Sequence, residues 1–94
     1  MIRHKSILQT VPQCIVCGFT KCEIHHCFPG IPNRKHSDED GLWVWVCPDH
    51  HRLSANSFHF NRSMDLKLKR YAQRKYEETH TREEFIERYG KSYL

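Results

Sequence analysis

The clearest pattern in the chain is Leu42-Trp43-Val44-Trp45-Val46-Cys47. Leu42, Val44 and Val46 fall on one face and Trp43 and Trp45 on the other, the period-two alternation of a strand. Ahead of it, KCEIHHC at 21–27 reads as a shorter strand that must stop before Pro29-Gly30. Residues 31–41, IPNRKHSDEDG, show neither strand nor helix period and predict a loop. Residues 1–13 predict an extended segment anchored by Ile7, Leu8 and Val11, and CIVCG at 14–18 a tight turn. Pro48 suits the first turn of a helix carrying Asp49, His50 and His51. A further helix is predicted over 63–79, with Met64, Leu68, Tyr71, Ala72 and Tyr76 as its apolar stripe. Thr81 with Glu84 three residues on forms a capping box for a last short helix bearing Phe85, Ile86 and Tyr89 and stopped at Gly90. The expected fold is a small α+β domain over 1–94, with a strand–strand–helix core at 14–60 and a helical extension at 61–94.

Composition changes this picture in two ways. A hydrophobic fraction of 38% and a mean hydropathy of −0.75 leave a thin core for 94 residues, a size at which disulfides or a structural metal often supplement packing. Five cysteines, an odd number, stand with eight histidines and no signal-like N-terminal stretch. These point to thiolates acting as metal ligands in a cytoplasmic protein. No apolar run approaches the roughly 20 residues that span a bilayer, so no membrane partner is expected. The net charge of +4 is unevenly placed, because residues 61–80 alone hold six Lys/Arg against three Asp/Glu. A basic helix of this kind suits a polyanion, and equally a solvated face.

Cysteine spacing supplies the frame. Cys14 and Cys17 form a C-x2-C knuckle followed by Gly18, and thirty residues later Cys47-Pro-Asp-His50 forms a C-x2-H pair. Two such pairs satisfy tetrahedral zinc, which predicts a structural Zn²⁺ on Cys14, Cys17, Cys47 and His50. Cys22 and Cys27 then read as small buried apolar side chains, or as substitutes for one of the four. If His50 faces zinc from a helix start, His51 points about 100° away. The clamp directs it toward the end of the first strand, where His25 and His26 lie.

The pattern CxxC…HH…CxxHH in β-β-α order resembles the HNH nucleases, the ββα-metal or His-Me finger group. It resembles zinc-knuckle members such as endonuclease VII-type resolvases, and also small phage HNH proteins related to RecA-dependent recombination nucleases. The resemblance implies a metal-dependent DNA endonuclease of phage or prophage origin, acting in the bacterial cytoplasm. A recombinase or another phage DNA-processing protein would be a further partner. It makes His25 a ligand of a catalytic Mg²⁺ or Mn²⁺, His26 the general base, His51 a second ligand and His59 a third. The family's Asn on the second strand has no counterpart, since Gly41-Leu42 stand in its place, so either another group, such as a backbone carbonyl, orients His26 or the protein is catalytically weak. Alternation along the strand would send His25 and His26 to opposite faces unless the chain bends near Pro29-Gly30. Glu23 reads as an ordinary strand carboxylate, and at least one of Trp43 and Trp45 as a core residue, base stacking being the alternative.

DNA contacts are expected from Arg34 and Lys35 in the hairpin loop, Arg52 after the histidine pair, and Arg62, Lys67, Arg70 and Arg74 on the helical extension. Contacts of this type hold phosphates and carry little base information. Competing readings are a non-catalytic zinc-containing DNA-binding module and an accessory protein. A double-strand break would be made most simply by a dimer, although no feature of the sequence marks an interface.

Overall fold

Two short strands, a polar helix between them and two helices after them make up the computed structural model, which describes residues 3–94. Strands β1 (Glu23–His26) and β2 (Trp43–Val46) pair antiparallel, with Glu23 opposite Val46, Ile24 opposite Trp45, His25 opposite Val44 and His26 opposite Trp43. Opposed residues share a face. One face therefore carries Glu23, His25, Val44 and Val46, and the other carries Ile24, His26, Trp43 and Trp45. Leu42, Val44 and Val46 are fully buried, as the alternation predicts. Trp43 is buried beneath the N-terminal segment, its Nε1 donating to the His4 carbonyl.

That segment, expected to be extended, is irregular with bends at 7–8 and 10–13, and is held mainly through polar groups. Leu8 is buried, whereas Ile7 and Val11, expected as anchors, are exposed. Ser6 Oγ donates to the Trp43 carbonyl, the Trp45 amide donates to Gln9 Oε1, and the Ile15 amide donates to the Trp45 carbonyl. These bonds satisfy the edge of β2 that β1 does not cover, which would otherwise invite pairing with another chain.

The loop predicted over 31–41 is instead helix α1 (Asn33–Asp40). Its sequence, NRKHSDED, has no apolar stripe because the helix docks through hydrogen bonds. Ser37 Oγ donates to the Phe28 carbonyl, and Asp40 accepts from Arg88 and from the Tyr89 hydroxyl. Gly41 ends α1 at φ +72°, and the Gly41 and Leu42 amides both reach the Ser37 carbonyl. The glycine is required there twice over. Its φ is left-handed, and an added Cβ would collide with the Lys5 carbonyl.

The helix predicted from Pro48 is a single π-type turn, Asp49–Leu53. Helix α2 (Arg62–Tyr76) is capped by Asn61, whose side chain accepts from the Met64 amide. Leu68, Ala72 and Tyr76 are buried, but Tyr71 is exposed and Gln73 lies buried in its stead. The reason is local: Gln73 binds the C-terminal segment, donating to Ser92 Oγ and accepting from the Tyr93 amide. Helix α3 (Arg82–Tyr89) begins with the predicted capping box of Thr81 and Glu84 and ends at a left-handed Gly90. Phe85 and Tyr89 are buried against Phe28, while Ile86 remains exposed. No helix among the described residues is long and apolar enough to cross a membrane.

Two substitutions test this account of the fold. Gly41→Ala should cost about 2–3 kcal/mol through backbone strain and clash, lowering the melting temperature of the metal-loaded protein by roughly 10 °C or more. Thr81→Ala should cost about 1 kcal/mol by removing the helix cap. Thermal unfolding followed by circular dichroism reads both, and a Gly41→Ala variant as stable as wild type would contradict the close approach at Lys5.

Candidate functional site

The first cluster joins the two ends of the predicted zinc frame. Cys14 and Cys17 flank a turn in which the Gly18 amide donates to the Cys14 carbonyl. Cys47 directly follows β2, and His50 sits on the π-type turn. The four ligand atoms all lie within 4.8 Å of one another. Cys17 Sγ is 3.8 Å from Cys47 Sγ, and His50 Nδ1 is 3.8 Å from Cys14 Sγ and 3.2 Å from Cys47 Sγ. A tetrahedron with arms of ~2.3 Å, the usual zinc–sulfur distance, has an edge of about 3.8 Å. The cluster is thus positioned to hold a metal ion and is compatible with structural zinc. Burial raises the Cys14 thiol, but the backbone amides of Cys47, Cys17 and Val16 more than offset this and hold it at about 6. A thiol so easily ionised is prepared for a cation. Cys27 is fully buried, and its thiol is pushed up by that burial, consistent with a small apolar role. Cys22 donates to the Phe19 carbonyl and stands outside the four.

The second cluster is made of imidazoles. His25 on β1, His51 on the π-type turn and His59 on the following loop place ring nitrogens within 4.8 Å of one another. Their ring centres lie 4.8–5.7 Å apart with planes inclined by 59–76°, so the rings converge instead of stacking. His59 reaches this position because the loop folds back on the turn, the Phe58 amide donating to the His50 carbonyl and the His59 amide to the His51 carbonyl. Phe58 stacks on His25 at 5.1 Å and seals one side of it. His25 Nε2 is buried and has no hydrogen-bond partner. Burial, with His51, His59, His26 and Lys69 close by, holds His25 down at about 3, so the ring is neutral at any ordinary pH. A buried, neutral, unpartnered imidazole nitrogen facing two other imidazoles is what a metal ligand looks like before the metal binds.

Glu23, read from sequence as an ordinary strand carboxylate, orients this cluster. It lies two residues before His25 on the same strand face. Its Oε1 accepts from His51 Nδ1 at 2.7 Å and from Arg52 Nε at 2.9 Å, and its Oε2 from Arg52 Nη2 at 2.7 Å. Arg52 and His51 hold the Glu23 carboxyl down at about 2. With Nδ1 so engaged, His51 offers Nε2 to an ion, the carboxylate–histidine arrangement common behind metal ligands. Arg52, expected as a phosphate contact, is half-exposed and pairs with Glu23 through Nε and Nη2.

His26 faces the other side of the sheet, as alternation requires. Even so, it borders the same cavity of about 460 Å³ as His25, His51 and His59, because β1 ends there and the chain turns through Pro29-Gly30. Its Nε2 is 2.8 Å from Asp38 Oδ1 on α1, where a backbone carbonyl was expected. Asp38 Oδ1 also accepts from Arg3 Nε at 2.7 Å. Burial would raise the Asp38 carboxyl, but Arg3 and His26 outweigh it and hold it below the usual carboxylate range. No periodicity could have revealed Asp38, since its helix reads as a loop.

Arg34 lines the cavity. Lys35, Arg62, Lys67, Arg70 and Arg74 are exposed, and among the described residues no carboxylate pairs with any of these six cations. Lys69, by contrast, is paired with Asp65 at 2.7 Å. Comparison with protein-family models, with curated proteins and with solved structures returned no match.

The geometry predicts two ion equivalents per chain when the protein is loaded with Zn²⁺ or Ni²⁺ and measured by plasma emission. His51→Ala should bind one and keep its fold, whereas Cys47→Ser should lose the tightly held ion and much of its thermal stability. A His51→Ala protein that still binds two ions would contradict the second cluster.

Proposed function

We propose that the chain is a metal-dependent DNA endonuclease of the HNH, or ββα-metal, type, serving phage or prophage DNA processing. The observation that carries this reading is the meeting of four imidazoles on one cavity, three of them convergent and the fourth, His26, beside them. A divalent ion is the occupant that the three convergent rings fit. When bound, it would offset negative charge growing on a phosphate oxygen and on the leaving 3′ oxygen.

The protein's own groups divide the remaining work. His25, His51 and His59 hold the ion, and Glu23 keeps the His51 ring turned toward it. His26 takes a proton from a water molecule, whose oxygen attacks phosphorus in line. The bond from phosphorus to the 3′ oxygen breaks, and that oxygen leaves with a proton drawn from solvent. An imidazole is largely neutral at pH 7 yet basic enough for this step. Arg34, Lys35, Arg62, Lys67, Arg70 and Arg74 would bind flanking phosphates, giving affinity with little base preference and a steep dependence on salt.

The donor set bears on which ion serves. Imidazole suits Zn²⁺, Ni²⁺ and Fe²⁺, whereas Mg²⁺ and Mn²⁺ prefer oxygen ligands. Three imidazoles therefore move the expectation from the Mg²⁺ or Mn²⁺ implied by the sequence toward the imidazole-preferring ions. Water and phosphate oxygens would complete the shell. A second reading, a zinc-containing DNA-binding or accessory protein without catalysis, is favoured by one feature: β2 sets Trp43, and no carboxamide, opposite His26.

Supercoiled plasmid incubated with the purified chain and a panel of divalent ions separates the two. The nuclease reading predicts nicking that EDTA abolishes and that His26→Ala reduces at least a hundredfold at equal metal content. Salt-sensitive DNA binding with no nicking under any ion would leave the binding module standing.

A further inference from the structure

The orientation of His26 has a source that the sequence pattern does not reveal. An imidazole acts as a base through one nitrogen only, and the hydrogen bond made by the other nitrogen decides which. The Nε2 of His26 lies 2.8 Å from Asp38 Oδ1. A carboxylate can only accept, so this nitrogen carries a proton, and in the neutral ring Nδ1 carries the lone pair. Among the described residues, Nδ1 makes no hydrogen bond, and it is not sealed from solvent. It is the nitrogen left free on a ring that borders the cavity lined by His25, His51 and His59.

Asp38 is itself held from two sides. Its backbone carbonyl accepts from the His4 amide at 2.8 Å, and its Oδ1 accepts from Arg3 Nε at 2.7 Å. The Arg3 guanidinium also lies 5.5 Å from the centre of the Trp43 ring, and Trp43 stands directly opposite His26 in the sheet. Helix α1, β1, β2 and the N-terminal segment therefore converge on one carboxylate whose remaining contact is His26.

We propose that Asp38 is the positioning residue of the reaction: it fixes His26 with the proton on Nε2 and the lone pair of Nδ1 turned to the cavity. This rests on the nuclease reading above. As Nδ1 takes a proton from water, the resulting imidazolium lies against the Asp38 carboxylate, which stabilises the charge as it forms. Asp38 receives no proton in the step. The role does not require an ion pair with substrate, so DNA affinity is unaffected by it.

The test compares wild type with Asp38→Ala and Asp38→Asn in the full, metal-loaded chain. Asn keeps an oxygen that can accept from Nε2–H, whereas Ala removes the acceptor. Asp38→Ala should lower kcat for nicking about a hundredfold or more, with KM, metal content and melting temperature near wild type. Asp38→Asn, which keeps an acceptor but not the charge, should recover only part of that loss. Nitrogen NMR of the His26 ring should show a protonated Nε2 and a bare Nδ1 in wild type and Asp38→Asn, and mixed tautomers in Asp38→Ala. Unchanged kcat in Asp38→Ala, or loss of kcat only in step with loss of fold or metal, would overturn the proposal. So would a wild-type ring protonated on Nδ1. A wild type that cuts nothing while keeping the Nε2–H tautomer would instead overturn the nuclease reading and reduce Asp38 to a clamp of the fold.

Discussion

The arrangement depends on one constraint, the gathering of Cys14, Cys17, Cys47 and His50 within metal-binding distance. The thin core of this chain would not by itself hold the turn at 14–18 against the end of β2. A metal held there would do so, and would fix where the π-type turn begins. That turn sends His50 to one side and His51 to the other. His51 then meets His25 near the end of β1, with Glu23 at its start bridging the two elements. An ion at the first cluster would thus hold in place the elements that carry the second.

The two clusters differ in ways that suit different tasks. Three sulfurs and one imidazole close a tetrahedron and leave no position open, as structural zinc sites do. Three imidazoles leave positions for water or substrate oxygen, as catalytic sites do. The carboxylates behind them follow the same division: Glu23 turns a ring that could hold an ion, and Asp38 turns one that could move a proton. Both are held ionised by an arginine, Arg52 in one case and Arg3 in the other.

Much of the frame was legible in the sequence, and the supporting groups were not. Ligand pairs at x2 spacing, the alternation of β2 and the Thr81 capping box are local signals, and each appears in the structure where it was expected. Helix α1 escaped because its stabilisation is polar and distant, from Arg88, Tyr89, Phe28 and Arg3, and leaves no hydrophobic period. Glu23 and Asp38 escaped for the related reason that a carboxylate reveals its role only through its partner, here 28 and 12 residues away in sequence. Tyr71 was misplaced because helical period alone cannot foresee that Gln73 is drawn inward to bind the C-terminal segment. The placement of His59, by contrast, follows from two backbone hydrogen bonds that no residue type encodes.

The central claim is that a structural ion positions a second, three-histidine ion site. Anomalous diffraction from crystals of the metal-loaded chain tests it most directly. The account predicts two peaks, one among Cys14, Cys17, Cys47 and His50 and one among His25, His51 and His59, with His51 bound through Nε2. A single peak at the cysteine cluster, with His25 Nε2 hydrogen-bonded to protein or water under saturating ion, would contradict it.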